Sequence, residues 1–288
     1  MVKSISKIFL SALSLIIVCL VIGCDINVDL LGLFASHELN ERLESKDNFI
    51  YLKENERNMN AITFPTNGEF SFIVMTDTHV ENGDTTDVEK IRNEITKHGA
   101  LFVVILGDIS QNGAENDLIA ITDFMRSLPV PCYPVLGNHD VYFNNWSEGW
   151  GKYIGSSRYK VTDGTYVTLF ILDSANAFFG KSQVDWLEKE LKTAKGTVFV
   201  LTHSDFFVLP KIKIQQLYDP AERARVMSLL HDNNDRCKMM LMGHSHERVE
   251  KEFGEVKYIS TEDYKDFQVY MLVKVKDGVV SREFHSLK

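Results

Sequence analysis

The chain of 288 residues carries a net charge of −9, and 44% of its residues are hydrophobic while 25% are charged. This composition and length are those of a folded globular chain with a sizeable core, and they exclude a fibrous or wholly disordered protein. Because the overall charge is acidic, we expect no nucleic-acid-binding surface.

The N-terminus departs from this average composition. Lys3 and Lys7 precede an uncharged apolar run over residues 8–22, which is shorter than a membrane-spanning helix requires. A basic start and a short apolar run that ends in a small residue are typical of a secretory signal. The sequence VIGCD that follows resembles a bacterial lipobox, which implies cleavage after residue 23 and lipidation of Cys24. An uncleaved signal anchor is the alternative.

The chain is therefore predicted to have three parts. They are a lipoprotein signal peptide over residues 1–23, a tether and short helical lead-in over 24–69, and one globular domain over 70–288. The expected location is the periplasmic or cell-surface side of a bacterial membrane, to which the lipid at Cys24 attaches the protein. His37, in the lead-in, is interpreted as a solvated helix residue.

Apolar strands alternate with helices from residue 70 onward. Strands are predicted at 70–75, 101–106, 132–136, 166–172, 197–201 and 238–242. Helices are predicted at 87–99, 115–128, 182–196 and 220–233. Such near-continuous apolar strands, with helices between them, are typical of a sheet that is buried on both faces. The last strands, at 256–261, 268–275 and 279–285, follow one another closely and are predicted to form an antiparallel meander.

Two cysteines lie in this domain, Cys132 and Cys237. They lack the paired spacing of a zinc–thiolate site. A disulfide between them is possible in an exported protein, and two buried free thiols are the alternative.

Polar side chains follow five of the predicted strands at the point where each strand ends. The polar residues at these ends are Asp77, His79, Asp108, Asn138, His139, Asp140, His203, His244 and His246. Because ligands collect at the carboxyl ends of strands in open α/β sheets, we expect these side chains to converge. Carboxylate, imidazole and amide donors without a thiolate suit Mn²⁺, Fe²⁺, Zn²⁺ or a similar ion. Even seven such ligands are too many for one tetrahedral site, but they can be divided over two ions if one carboxylate bridges both ions. A pair of ions suits phosphoryl transfer.

The motifs DTH, GD, GNHD, a single His and GHSH occur in this order within residues 70–260. This series resembles that of the calcineurin-like metallophosphoesterase superfamily. The resemblance implies an α/β fold of two packed mixed β-sheets flanked by helices, an α/β/β/α sandwich with a dimetal site at the C-terminal ends of the strands. It implies that Asp77, His79 and His246 bind one ion. It implies further that Asn138, His203 and His244 bind the other, and that Asp108 bridges them.

The same resemblance implies an enzyme, a dinuclear metallophosphoesterase. Such an enzyme hydrolyses a phosphate mono- or diester by attack of a hydroxide held by two divalent ions. His139 is expected to contact the phosphate and assist the leaving group, with Asp140 orienting its ring. The alternative is a lipid-anchored surface protein that reuses the fold for binding. We prefer the enzyme because such reuse would erode the metal ligands, and all seven are present.

Further stretches of sequence indicate which branch of this superfamily the chain resembles most. Residues 170–191, FILDSANAFFGKSQVDWLEKEL, are similar to a segment of the cyclic-nucleotide phosphodiesterase and purple-acid-phosphatase-like branch. Gln111 stands where purple acid phosphatases have a metal-binding Tyr, which disfavours a tyrosinate-bound ferric ion. The sequence THSD at 202–205 lacks the Pro that relatives often have after this His. The substrate therefore stays open, although export makes an intracellular messenger a poor candidate.

Three further stretches leave alternatives open. The aromatic segment 142–155 is either a lid or an ordinary surface loop. The apolar segment 206–214 either lines the pocket or lies on the membrane. Asp173 and Ser174 either reach the site or form a plain turn.

Overall fold

The computed structural model of the chain describes residues 39–44, 51–53, 62–142, 146–207, 217 and 219–288. The predicted signal peptide, Cys24, His37 and most of the apolar segment 206–214 lie outside the described residues. Within the described ranges, no helix is both long enough and apolar enough to cross a membrane.

The described residues form two sheets and eight helices, which we number in chain order. The helices are α1 (Leu39–Glu44), α2 (Thr86–Glu89), α3 (Ile91–His98), α4 (Glu115–Ser127), α5 (Trp150–Tyr153), α6 (Lys181–Leu191), α7 (Pro220–Asp232) and α8 (Tyr264–Phe267). The strands are β1 (Phe70–Met75), β2 (Val103–Ile105), β3 (Cys132–Pro134), β4 (Tyr159–Thr162), β5 (Val167–Ile171), β6 (Thr197–Leu201), β7 (Cys237–Met242), β8 (Val249–Phe253), β9 (Val256–Ser260), β10 (Val269–Lys276) and β11 (Val279–Ser286).

Both sheets are mixed. The first has the order β11-β10-β1-β2-β3, in which β1, β2 and β3 are parallel and β10 is antiparallel to β1. The second has the order β4-β5-β6-β7-β9-β8, in which the four central strands are parallel and both edge strands are antiparallel. In each sheet, the parallel strands all have their carboxyl ends on the same side of the sandwich. This side, which is formed by strand ends and is called the edge of the two sheets below, carries the predicted ligands.

The two sheets pack face to face with helices outside. Alternate residues of β1 divide between two cores: Phe72 and Val74 pack between the sheets, whereas Ile73 packs against α2, α3 and α4. The outer face of the second sheet is covered by α6 and α7. The predicted α/β/β/α sandwich is therefore confirmed. Burial of both faces explains why the strands are almost uniformly apolar.

The predicted C-terminal meander forms only in its last hairpin, in which β10 and β11 pair antiparallel; the strand before them does not join it. Val256–Ser260 joins the second sheet parallel to β7, whereas Val269–Lys276 crosses to the first sheet, antiparallel to β1. A short helix, α8, makes the crossing. Local spacing suggested sequential hairpins, but tertiary pairing with β7 and β1 decides the sheet to which each strand belongs.

The lead-in contacts the globular domain through buried side chains. Arg42 of α1 donates to Asp173 from Nε at 2.7 Å and from Nη2 at 3.0 Å, and both side chains are fully buried. Arg42 also donates to Asn176 Oδ1 at 2.6 Å. Farther along, the hydroxyl of buried Tyr51 donates to the carbonyl of Cys132 at 2.8 Å.

The aromatic segment after β3 is part of the core in its described portion. Trp146 and Trp150 are 3% and 1% exposed and pack with Ile154 against the first sheet's helix layer. This segment is therefore anchored in the core by its apolar side chains, while Ser147, Glu148 and Lys152 are exposed, so it is more than an ordinary surface loop. The polar and glycine residues between the tryptophans concealed the large apolar area that these side chains bury.

Among the described residues, Cys132 and Cys237 are both buried and form no disulfide. They lie on β3 of the first sheet and β7 of the second. Burial raises the pKa of Cys237 to about 12 and raises that of Cys132 as well. Both therefore act as small apolar side chains, as one of the two alternatives held.

Candidate metal centre

The predicted ligands meet at the shared edge of the two sheets. Asp77 and His79 follow β1, Asp108 follows β2, and Asn138 follows β3. From the second sheet, His203 follows β6, while His244 and His246 follow β7. All except His246 are buried, so the chain brings seven polar side chains into one largely dry site.

The backbone at this site is unusual. Five of the ligands have a positive φ, between 43° and 69°: Asp77, His79, Asp108, His244 and His246. Residues with side chains seldom adopt this left-handed conformation, and it costs free energy unless the surroundings enforce it. The geometry of the side chains is thus obtained at the expense of local backbone strain.

The glycines before the ligands are required by close packing. A Cβ atom on Gly137 would lie 2.1 Å from the backbone nitrogen and from Oδ1 of Asp108. A Cβ on Gly243 would lie 2.0 Å from Thr76 Oγ1. The repeated glycine in GD, GNHD and GHSH therefore allows neighbouring strand ends to approach closely enough for their ligands to meet.

The first group of ligands consists of Asp77, His79 and His246. His246 Nε2 lies 3.2 Å and His79 Nε2 lies 3.8 Å from Asp77 Oδ1. Within the described part of the chain, Asp77 Oδ1 and both ring nitrogens of His79 are buried without a hydrogen-bond partner. Buried polar atoms of this kind are costly unless something binds them. The other oxygen of Asp77 accepts hydrogen bonds from the backbone of His244 and from Thr76.

The second group consists of Asp108, Asn138, His203 and His244. His203 Nε2 lies 3.2 Å from Asp108 Oδ2, 3.0 Å from Asn138 Oδ1 and 2.9 Å from His244 Nδ1. His203 Nδ1 lies 2.7 Å from the Leu106 carbonyl, which can only accept. Nδ1 therefore carries a proton, and Nε2 is the ring atom that faces the centre, where a bound ion would displace any proton from it.

The two groups are joined through Asp108. Its ligand atoms lie close to those of His203 and His244 on one side, and to those of His79 and His139 on the other. A bridging carboxylate would need this position, and the bridging role of Asp108 stays a prediction. Asp108 Oδ1 also accepts the backbone N–H of His139 at 2.9 Å.

The predicted orientation of His139 by Asp140 is wrong. His139 Nδ1 lies 2.7 Å from the carbonyl of Gln111, so this carbonyl accepts its proton and leaves Nε2 facing Asp108 at 4.0 Å. Asp140 instead accepts from the backbone of Ser110 and Gly137, each at 2.9 Å. Adjacency in sequence suggested the pairing, but the 3₁₀ turn over His139–Val141 directs the two side chains to different neighbours.

The charges of the site favour a cation. Burial lowers the pKa of His79 to about 4 and that of His244 to about 3, so both imidazoles are neutral. Burial also opposes a charge on His203, yet the nearby carboxylates of Asp108 and Asp77 outweigh it and raise its pKa to about 10. Two buried carboxylates thus create a negative field that divalent ions would neutralise. The unpaired atoms and the oxygen and nitrogen donors fit such ions.

Some residues that shape the site were not found from the sequence. Buried Asp263 lies with Oδ2 3.5 Å from His246 Nδ1, and Tyr142 accepts from Asn138 Nδ2 at 2.7 Å. Asp263 caps α8, in a stretch without a recognisable motif, so nothing in the chain indicated it. Tyr142 directly follows GNHD, which was a usable signal. Contacts of this type hold ligands in one orientation.

Asp173 and Ser174 both act through other residues. Asp173 pairs with Arg42, as described above. Ser174 Oγ accepts from the hydroxyl of Thr202 at 2.8 Å and from the backbone N–H of Ser204 at 2.9 Å. It therefore fixes the residues on either side of His203 and does not reach the ligand cluster.

The comparisons with known proteins agree with this geometry. The sequence model of the calcineurin-like phosphoesterases matches residues 70–248, a range that contains all seven ligands. No curated protein sequence matches the chain. A structure of GAP50, described as the anchor in the inner membrane complex of Plasmodium, has 13% identity and a TM-score of 0.57, over 76% of this chain and 84% of that chain. Purple acid phosphatase PPD1 from yellow lupin seeds has 13% identity and a TM-score of 0.56, over 77% of this chain and 53% of that chain. The structural likenesses show the same fold, and the sequence match over most of the domain shows that the chain belongs to the calcineurin-like phosphoesterase family.

Proposed function

We propose that this protein is a metal-dependent phosphoesterase that hydrolyses a phosphate mono- or diester at the metal centre. The observation that supports this most directly is the convergence of seven polar side chains from five strand ends. Among them, Asp77 Oδ1 and the His79 ring nitrogens have no hydrogen-bond partner in the described structure. A protein that only needed the fold would not keep these atoms buried at a cost in stability.

The donor set fits two divalent ions such as Mn²⁺, Fe²⁺ or Zn²⁺. Asp77, His79 and His246 would hold one, and Asn138, His203 and His244 would hold the other, with Asp108 between them. When bound, such a pair neutralises phosphate charge and makes water a stronger nucleophile at neutral pH.

His139 is the residue of this chain that is best placed for proton transfer. Its side chain is a quarter exposed, in contrast to the buried Asp108 beside it. The Gln111 carbonyl fixes the ring by accepting the Nδ1 proton, so Nε2 faces the ligand cluster. In the protonated form, Nε2–H can donate to a phosphate oxygen and then to the leaving oxygen.

The proposal is tested with the full chain loaded with Mn²⁺. The rates of hydrolysis are compared for a chromogenic phosphodiester and for the monoester with the same leaving group, each with and without a chelator. We expect chelator-sensitive cleavage of at least one of them, and loss of cleavage in Asp108→Asn. Bound metal without cleavage of either ester would contradict the proposal.

The second candidate is a binding protein that reuses the fold. It is favoured by one observation, the likeness to a structure that is described as an anchor. The same assay separates the candidates, because a binding protein would retain its fold and show no turnover that depends on Asp108.

We also propose that the protein is exported and attached to a bacterial membrane by a lipid on Cys24. This proposal is supported by the basic start, the short apolar run and the Gly-Cys pair at its end. The mass of the protein recovered from membranes tests it directly. The expected species begins at Cys24 and carries acyl chains, and Cys24→Ser should abolish this form. A full-length chain that retains residues 1–23 would contradict the proposal.

A further inference from the structure

The chain enters the domain at the edge that carries the metal centre. Arg42 of α1 is bound to Asp173, which follows the carboxyl end of β5. The strands β5, β6 and β7 are parallel, so this end of β5 lies at the same edge as the ends that carry His203 and His244. Leu39, the first residue of α1, packs at Gly180, in the loop between β5 and α6.

Two exposed aromatic side chains lie on this same edge. Phe178, 40% exposed, is in the loop that follows β5. Phe267, 52% exposed, ends α8, whose residue Lys265 donates its backbone N–H to the carbonyl of Asp77 at 3.2 Å. Both residues thus lie at the end of the sandwich that carries the metal centre, Phe178 after β5 of the second sheet and Phe267 before β10 of the first.

Each of these rings has an exposed lysine near it. Lys181, which also pairs with Asp185, comes three residues after Phe178 at the start of α6. Lys265, which also donates to Gln111 Oε1, comes two residues before Phe267 in α8. Single exposed apolar residues are ordinary on a protein surface. Aromatic and basic residues together on one side, by contrast, are typical of a surface that rests at a lipid–water interface.

The opposite edge provides an internal comparison. Val279, 68% exposed, is the first residue of β11, directly after the turn from β10, and lies near the start of β1. Val279 is therefore at the far end of the first sheet from the metal centre and provides a control position.

The length of chain before α1 limits how far this edge can lie from the membrane. If Cys24 carries the lipid, residues 25–38 connect the bilayer to Leu39. Fourteen residues reach at most about 50 Å in any conformation. The attachment point and the metal centre share an edge, so a short connection holds that edge close to the bilayer.

We infer that the edge carrying the metal centre lies against the membrane, and that the substrate is a phosphate ester of a membrane lipid. This inference rests on the proposed function and on the proposed lipid anchor, and it deepens both. Since the chain is acidic overall, contact depends on the aromatic side chains and the anchor more than on anionic lipid.

The orientation is tested without reference to activity. Phe178→Trp, Phe267→Trp and Val279→Trp are made in the full chain, which is reconstituted into phosphatidylcholine vesicles with brominated acyl chains. The emission of the added tryptophan is obtained by difference from the parent protein. We expect quenching at positions 178 and 267 and none at 279. Equal quenching at all three positions, or none at 178 and 267, would overturn the inference.

The substrate class is tested on the same vesicles. Turnover of phosphatidic acid in the bilayer is compared with turnover of glycerol phosphate, its water-soluble counterpart. If the enzyme cleaves only diesters, phosphatidylglycerol replaces phosphatidic acid as the lipid substrate. The double variant Phe178→Ser/Phe267→Ser should lower turnover of the lipid roughly tenfold, which corresponds to about 1.4 kcal/mol, and leave that of the soluble ester unchanged. Val279→Ser should change neither.

The outcomes separate the two proposals. Cleavage of the soluble ester alone, with no cleavage of the lipid, would overturn the inferred substrate class while the phosphoesterase function stands. Failure to cleave any ester, including the chromogenic pair, would overturn the proposed function, and the inferred substrate class with it. The quenching pattern would still report whether the edge faces the bilayer.

Discussion

The buried ion pair between Arg42 and Asp173 makes a quantitative prediction about stability. Both side chains are fully buried and are joined by two hydrogen bonds of 2.7 and 3.0 Å. The substitution Arg42→Met would leave the Asp173 carboxylate buried without its counter-charge, which costs about 3–5 kcal/mol. Since the free energy of unfolding of a domain is about 5–15 kcal/mol, this single change is expected to remove a large share of it.

Urea unfolding, followed by circular dichroism, measures this free energy. The double variant Arg42→Met/Asp173→Asn should lose clearly less than the two single variants together, because it removes both charges. Lys90→Met, which removes an exposed ion pair with Asp87, is the control and should leave the midpoint nearly unchanged. A loss below about 1 kcal/mol in Arg42→Met would refute the argument, since α1 would then contribute little to the domain.

Three further predictions concern the site and its surroundings. Asp108→Asn should abolish hydrolysis and lower the bound metal below two ions per chain by elemental analysis; full activity would exclude the bridging role. His139→Ala should lower kcat by about 10²–10⁴-fold with metal content unchanged, and loss of metal would make it a ligand instead. Burial lowers the pKa of His98, and nearby positive charge lowers it further. As the pH falls towards and below the ordinary pKa of histidine, the unfolded chain therefore binds more protons than the folded chain. Stability should therefore fall with acid in that range, and His98→Gln should reduce this slope in urea titrations; an unchanged slope in that variant would contradict the argument.

The strand ends and the ligand set could be predicted from the sequence because they depend on local signals. An apolar run followed by Gly or Thr and then a polar residue marks the end of a buried strand. Asp77, Asp108 and His203 all follow such runs, and the structure brings them together. The prediction of two packed sheets rested on the motifs, because the alternation of strands and helices alone would also fit a single sheet.

The remaining features depend on contacts that the sequence does not encode locally. The crossing of the chain from β9 to β10 is determined by pairing with β7 and β1, which lie far away in sequence. Likewise, the orientation of His139 depends on the carbonyl of Gln111, and a backbone atom has no signature in a motif. The strand β8 was missed because its sequence, VEKEF, lacks an apolar run, and four of its five residues are exposed.

The left-handed backbone of the ligands has a consequence for how such a site persists. Five of them, from Asp77 to His246, hold positive φ values, and each costs about 1 kcal/mol or more that the folded core must absorb. A descendant without metals would be stabilised by drift to glycine or asparagine at these positions, or by a relaxed loop. Substitutions that relieve this strain would therefore accumulate unless binding at the site is under selection. A chain that keeps the whole strained set is expected to be one in which such selection acts.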